Sequence, residues 1–186
     1  MDQIPKVGAF VLETLTTGMY TNPLDTLREF IQNSADSIHQ GEQQGILSKN
    51  AGRIQVCLNP KQHTLSIRDN GVGISQVEAY TRLVNIGMSG KRIETDAGFR
   101  GIGRLAGIAY CKTLYFRTSM ANEGVLTTVE MDCEGLRRFI SPAMRQTEEL
   151  VSIVQRNTRT SSENCQAEDH FFEVVIDYPT RGPTRI

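Results

Sequence analysis

The chain has 186 residues, 39% hydrophobic content and a net charge of −1, which suits one domain with a substantial core and offers no broad basic surface for nucleic acid or anionic lipid. Its four cysteines are scattered singly, without metal-ligand spacing or the density of a disulfide scaffold. Because the sequence has no signal-peptide pattern and no apolar run of membrane-spanning length, we expect a soluble cytoplasmic protein that does not act at a membrane.

The first predicted elements are two helices. Apolar residues at helical spacing predict a short helix over residues 7–15. The second helix begins at Asn22-Pro23, where Asn22 can cap and Pro23 suits the first helical position, and runs to about residue 39 or 41. Its apolar residues form one stripe, which we expect to face the core. The stripe consists of Leu24, Leu27, Ile31, Ala35 and Ile38.

Three acidic or amide side chains, Glu29, Asn33 and Asp36, cluster on a second face of this helix, about 150° from the stripe. Such a face is usually solvated, with Lys or Arg interleaved one turn away. Here the neighbours are Gln32 and Gln40 instead. The carboxylates therefore lack local cationic partners, and we expect another group to supply the positive charge.

An antiparallel strand pair is predicted over residues 53–58 and 64–68. The segment that follows, DNGVGIS, begins at Asp69 and contains Asn70-Gly71, a strong hairpin signal. Against a hairpin, Gly71 and Gly73 stand at alternate positions before a predicted helix over residues 76–84. A strand that ends in Asp-x-Gly-x-Gly and enters a helix is a place where backbone approaches a ligand closely.

Residues 85–100 form a long loop rich in glycine and charge, a type that often serves as a lid or binding loop. A helix is predicted over residues 101–109. Its start, with Gly98, Gly101 and Gly103, brings free backbone amides to a helix N-terminus, which favours phosphate, although a tight loop-to-helix junction explains these glycines equally well.

Five elements complete the chain. Alternation predicts strands over residues 112–118, 125–131 and 171–177. A helical turn is predicted over residues 133–139. Residues 150–160 permit a helix or a strand, and we favour a strand because of their β-branched residues.

In order, the chain has Glu-x-x-x-Asn-x-x-Asp on a helix, Asp-x-Gly-x-Gly after a strand and Gly-x-x-Gly-x-Gly before a second helix. This set resembles the three sequence boxes of the GHKL ATPase superfamily, which contains gyrase B subunits, ninety-kilodalton heat-shock chaperones, sensor histidine kinases and MutL proteins. The stretch MYTNPLDTLREFIQNSADSI is most similar to the nucleotide domain of the chaperones, whereas GFRG and Ser89-x-Lys91 resemble the MutL branch. The boxes cover roughly residues 20–107.

The resemblance implies a Bergerat-type fold of the α/β class, an α+β two-layer sandwich whose mostly antiparallel mixed sheet carries helices on one face. A single ATP-binding domain would occupy residues 1–186, with the ATP lid over residues 86–100. The implied function is to bind ATP with Mg²⁺ and hydrolyse it slowly, as a conformational switch of chaperone or MutL type. By analogy we expect this to be the N-terminal part of a longer protein, with nucleotide-dependent homodimerisation through downstream domains.

Family roles transfer position by position. Glu29 matches the general base, and Asn33 matches the Mg²⁺ ligand, where one amide oxygen suffices if phosphates supply the rest. Asp69 matches the acceptor for the adenine amino group. Asp36 is either a supporting acid or a surface carboxylate, and Lys91 either reaches the phosphates or is a solvated lid residue. The other implied nucleotide contacts are Gly71, Gly73, Ile74, Gly98, Phe99, Arg100, Gly101, Ile102 and Gly103.

Two departures from the family pattern qualify these roles. The Gly-Thr that supports adenine before a late strand is replaced by EDHFFEV, so Asp169, His170 or a water would have to substitute. Many relatives also complete the site with Lys or Arg from a following domain, and without it we expect slow turnover.

Three alternatives remain. The first is a non-catalytic nucleotide-binding module. The second is a histidine-kinase catalytic domain, which generally lacks a glutamate at the position of Glu29. The third is a dinucleotide fold built on Gly101-x-Gly103-x-x-Ala106, which would need a hydrophobic strand before it.

Overall fold

A six-stranded antiparallel sheet carries helices on one of its faces. The structure, a computed structural model, describes residues 22–84, 107–140 and 150–179. Its strands are β1 (Ile54–Asn59), β2 (Thr64–Asp69), β3 (Thr113–Ser119), β4 (Val125–Asp132), β5 (Thr158–Asn164) and β6 (Phe171–Asp177). Its helices are α1 (Pro23–Gln43), α2 (Gln76–Val84), α3 (Cys133–Ile140) and α4 (Leu150–Arg156). Of the helices described, none is long and apolar enough to cross a membrane.

The last strand in the chain, β6, lies inside the sheet, in the order β1-β2-β6-β3-β4-β5. The register pairs Phe172 with Asp69 on one side and with Thr118 on the other. The ends of β2 and β3 therefore meet at the start of β6. The predicted two-layer sandwich is confirmed, and the sheet, expected to be mixed, has only antiparallel pairings among the strands described.

The core lies between the helices and one face of the sheet. Because successive strand residues point to opposite faces, every second residue contributes to this core. The strand residues buried there are Ile67, Leu114, Phe116, Val129, Met131, Val174 and Ile176. They form one cluster with Phe30 of α1, Leu83 of α2, Leu136 of α3 and Ile153 of α4.

Seven of the predicted elements are confirmed to within one residue at each end: the strands over residues 53–58, 64–68, 112–118, 125–131 and 171–177, the helix over residues 76–84 and the helical turn over residues 133–139. The strand predicted over residues 150–160 is wrong in its first half, which is the helix α4. Asn157 caps the end of that helix, because its side-chain Nδ2 donates at 2.8 Å to the carbonyl of Ile153. Some of the β-branched residues that favoured a strand belong to β5, which starts at Thr158, directly after Asn157.

The apolar stripe of α1 does not face the core as predicted, since Leu24 is 66% exposed and Ile31 is 40% exposed. At about 100° per residue, the buried side of the helix is rotated by roughly 100° from that stripe. Its small residues let α1 approach the end of β2, where the hydroxyls of Ser34 and Ser37 lie beside Asp69. The buried residues of α1 are Thr26, Phe30, Ser34 and Gly41.

Several predictions fall outside the described residues. These are the helix over residues 7–15, the lid over residues 86–100 and the first part of the helix over residues 101–109. The last three residues of that helix, 107–109, form a 3₁₀ turn.

Candidate functional site

The candidate site is centred on Asp69, the last residue of β2. Its side chain points to the helix-bearing face of the sheet, because it pairs with Ile54 and Phe172 in a register that also places Ile67 in the core. Asp69 is only 1% exposed. A carboxyl group is thus buried beneath α1, where an apolar side chain would be expected.

The two oxygens of the Asp69 carboxyl group differ. Oδ1 accepts the backbone N–H of Gly71 at 2.9 Å, as in a tight Asx turn. Oδ2 is fully buried and has no partner at hydrogen-bond geometry among the described residues. The hydroxyls of Ser34 and Ser37 lie beside the carboxyl group, close enough to lower its pKa. A buried acceptor without a donor is costly, so Oδ2 is a chemically suitable partner for a donor on a ligand.

Burial raises the pKa of Asp69 from 3.8 to about 6, since desolvation penalises the charged carboxylate. The Gly71 N–H opposes this rise most, followed by the two serine hydroxyls and the charge of Arg68. The contribution of Arg68 is small because its guanidinium lies on the other face of the sheet, over the ring of Phe171 at 3.5 Å and 3.9 Å from Glu173. Near neutral pH, Asp69 is therefore a charged acceptor held in an unfavourable environment.

The glycines that follow Asp69 allow very close packing. A Cβ at Gly71 would lie 2.1 Å from the Ser37 hydroxyl oxygen, so this residue must be small for α1 to approach. Gly73 has a positive φ of 68°, and a Cβ there would lie 1.9 Å from the carbonyl oxygen of Ser119. The backbone approaches α1 and the end of β3 closely at these two glycines, whereas its close approach to a ligand stays a prediction.

Side chains from three distant positions hold this loop. His170 Nδ1 lies 2.8 Å from the carbonyl oxygen of Gly71. The Thr118 hydroxyl accepts the N–H of Ile74 at 2.7 Å and donates to the carbonyl of Phe171 at 3.0 Å. The Glu123 carboxylate accepts the first N–H of α2 at 3.0 Å. Sequence reasoning named His170 only as a substitute and missed Thr118 and Glu123.

Ser34 and Ser37 were missed as well, although the sequence carries a signal for them. They are small polar residues that alternate with Asn33 and Asp36 on a helix, and one turn of helix brings them to the same side. A helix that must pass close to an Asp-x-Gly-x-Gly loop needs small residues at those positions. Thr118, Glu123 and His170 carry no such local signal.

The polar face of α1 flanks the buried side of that helix, and Glu29, Asn33 and Asp36 are each half-buried. Glu29 makes no hydrogen bond or ion pair with any described residue, and the adjacent Arg28 instead pairs with Asp25 at 3.7 Å. Asp36 accepts a hydrogen bond from Gln32 at 3.1 Å. Glu29 is thus partly accessible and has no partner among the residues the structure describes, which suits a group that orients water.

The predicted phosphate contacts lie outside the described residues. They are Lys91, Gly98, Phe99, Arg100, Gly101, Ile102 and Gly103. The residues on either side of that segment, Val84 and Gly107, are both buried. Among the described residues, no three His, Cys, Asp or Glu side chains group in a way that could hold a metal ion.

Residues 20–163 match the family model described as "Histidine kinase-, DNA gyrase B-, and HSP90-like ATPase". Three curated relatives are each named Chaperone protein HtpG. The match to the Polaromonas sp. protein is 29% identical over 164 residues, covering 78% of this chain and 26% of that protein. The Acinetobacter baylyi protein is 36% identical over 90 residues, which cover 45% of this chain and 14% of that protein. The Chlorobium phaeobacteroides protein is 33% identical over 86 residues, which cover 43% of this chain and 14% of that protein. The matched region thus spans between 14% and 26% of these three relatives.

Proposed function

Because this chain belongs to the family of histidine kinase-, DNA gyrase B- and HSP90-like ATPases, the GHKL superfamily, and is close to the nucleotide domain of the ninety-kilodalton heat-shock chaperones, we propose that it binds ATP with Mg²⁺ and hydrolyses it slowly. In this proposal the nucleotide acts as the ligand of a conformational switch in a longer chaperone-like protein. Nucleotide-dependent homodimerisation and a cytoplasmic location are part of the same proposal.

The observation that carries the proposal is the buried, unpaired Oδ2 of Asp69. An exocyclic amino group, such as that of adenine, is a donor that would satisfy this oxygen. Phe172, the cross-strand neighbour of Asp69, is a partly buried ring packed against the core, and it would supply the apolar side of a site for a base. These features support a purine with an amino group as the ligand.

The polar face of α1 supports the assignment of roles to Glu29 and Asn33. Glu29 would accept a proton from the attacking water and orient it for in-line attack on the γ-phosphate. Asn33 would hold Mg²⁺ through its amide oxygen, and the bound ion neutralises phosphate charge. Asp36 would support this face, and Ile74, Gly71 and Gly73 would line the base.

The remaining contacts stay predictions. Free amides at Gly98, Gly101 and Gly103, with those of Phe99, Arg100 and Ile102, would bind the phosphates, and Lys91 would add a positive charge. A basic residue from a downstream domain would raise the rate of turnover, so the isolated domain would hydrolyse ATP slowly.

The test compares Glu29→Ala with the unmodified chain. We expect Mg²⁺-ADP to bind both with similar affinity in calorimetry, and phosphate release from ATP to fall by about 100-fold or more in the variant. Glu134→Ala is the matched control, because it removes a half-buried carboxylate on α3 that pairs with Arg138. Unchanged phosphate release from Glu29→Ala would refute the general base, and failure of the unmodified chain to bind ADP would refute the proposed function.

A further inference from the structure

We propose that His170 is a positioning residue for the adenine base, acting through the carbonyl of Gly71; the inference rests on the proposed function. The ring Nδ1 of His170 lies 2.8 Å from that carbonyl oxygen, and the ring is half-buried. Because a carbonyl oxygen can only accept, Nδ1 must carry the proton that is shared. The contact therefore selects the Nδ1–H form of the ring, or the doubly protonated form.

The contact follows from the register of the sheet. Asp69 pairs with Phe172 in an antiparallel ladder, so continuing the register makes Asn70 face Phe171 and, one pair further, Gly71 face His170. At that position the contact between the two segments is made by the side chain of His170 and the backbone carbonyl of Gly71. His170 thus reaches a loop that is 99 residues away in the chain.

Both polar backbone groups of Gly71 are then committed. Its N–H donates to Oδ1 of Asp69 at 2.9 Å, and its carbonyl accepts from His170 at 2.8 Å. The N–H and the carbonyl belong to adjacent peptides that meet at the Cα of Gly71, so His170 holds one side of the residue whose other side engages Oδ1 of Asp69. In this proposal His170 keeps Gly71 in the position that engages Oδ1 and leaves Oδ2 for a ligand.

Asp169, the other residue that could replace the family threonine, does not reach the loop in this way. Its N–H donates to the carbonyl of Gln166 at 3.1 Å, and its carbonyl accepts the hydroxyl of Ser119 at 3.0 Å. These bonds fix the turn before β6. They leave His170 as the residue of the pair that holds Gly71.

Three substitutions separate positioning from packing. His170→Asn keeps a donor on the atom attached to Cγ, where Nδ1 is attached in histidine. His170→Gln moves the donor one bond further out, and His170→Phe keeps a ring without a donor. His39→Phe is the matched control, because His39 is an exposed histidine on α1 whose ring contacts Gln43.

The measurements are the Kd for Mg²⁺-ADP by calorimetry and the melting temperature without nucleotide. We expect the Phe and Gln variants to bind ADP about five- to tenfold more weakly, and the Asn and His39→Phe variants to stay within about twofold. Equal affinity for the Phe variant and the unmodified chain would overturn the proposal, as would an Asn variant as weak as the Phe variant. A lower melting temperature in all three His170 variants, with no change in Kd, would mean that His170 has only a structural role, and this result would also overturn the proposal. Failure of the proposed function is distinct, because the unmodified chain would then not bind ADP.

Discussion

Asp69 combines three properties at the scale of one residue: it is buried, it is a charged acceptor near neutral pH, and one of its oxygens is unpaired. Burying such a group costs stability, and proteins retain these groups where a ligand uses them. The neighbouring Ser34 and Ser37 reduce the cost by favouring the charged form. The residue therefore links the stability of the fold to ligand binding.

Asp69→Asn should stabilise the nucleotide-free protein and weaken nucleotide binding. The folded pKa of about 6 lies above the unfolded value of 3.8, so the protonated carboxyl favours the fold, and this stability is lost as pH rises through about 6. The loss amounts to about 3 kcal/mol, which the neutral amide avoids. For binding, the amide can present a donor to the amino group of adenine, and we expect at least a tenfold loss of ADP affinity.

The measurements for this variant are urea unfolding at pH 7.5 and pH 4.5 and calorimetry with ADP at pH 7.5. The gain in stability over the unmodified chain should be present at pH 7.5 and shrink at pH 4.5, where the native carboxyl is itself neutral. A gain of equal size at both pH values would contradict the burial argument. Unaltered ADP affinity would contradict the placement of adenine at this residue.

At the scale of elements, the packing of α1 on the sheet depends on small residues more than on its apolar stripe. The helix meets the loop after β2 at Ser37, and the loop meets the end of β3 at Ser119. Gly71 and Gly73 stand at these two contacts, where any side chain would displace backbone or a short side chain. The loop therefore sets the distance between α1 and the end of β3.

Gly73→Ala should destabilise the fold by about 3 kcal/mol or more, because it combines left-handed strain of about 1 kcal/mol with a clash against the carbonyl of Ser119. Gly45→Ala is the control: Gly45 has a similar φ of 72°, and nothing lies within 4 Å of the added Cβ. It should cost only about 1 kcal/mol. Urea unfolding measures both, and equal costs would show that the contact with Ser119 is unimportant.

At the scale of the whole molecule, a buried cation ties α3 to the segment that enters β3. Arg137 is 7% exposed and donates from Nη1 to the carbonyls of Ile108 and Cys111. That segment also contacts α1, since a Cβ at Gly107 would lie 3.3 Å from Phe30 Cζ. Arg137 therefore links α3 to the segment that packs against α1.

Arg137→Met should destabilise the protein by about 2–4 kcal/mol, because two buried carbonyls lose charge-assisted hydrogen bonds while the apolar stem is retained. Arg138→Met is the matched control, since its side chain is 71% exposed and, of the described residues, it pairs with Glu134 on the same helix. We expect the control to stay within about 0.5 kcal/mol. Urea unfolding gives both values, and an Arg137→Met loss no larger than that of the control would contradict the linking role.

By itself, the sequence determined the identity of most elements, the family boxes, and Glu29, Asn33 and Asp69 as candidate site residues. It could do so because helical and strand periodicities are local, and because an Asp-x-Gly-x-Gly turn carries its conformation in its own residues. Only the tertiary structure decided which side of α1 is buried, where β6 lies in the sheet, and that His170 and Thr118 hold the loop at Gly71 and Ile74. These contacts join residues 44 and 99 positions apart, and no local pattern encodes such distances, because they depend on how the whole sheet is assembled.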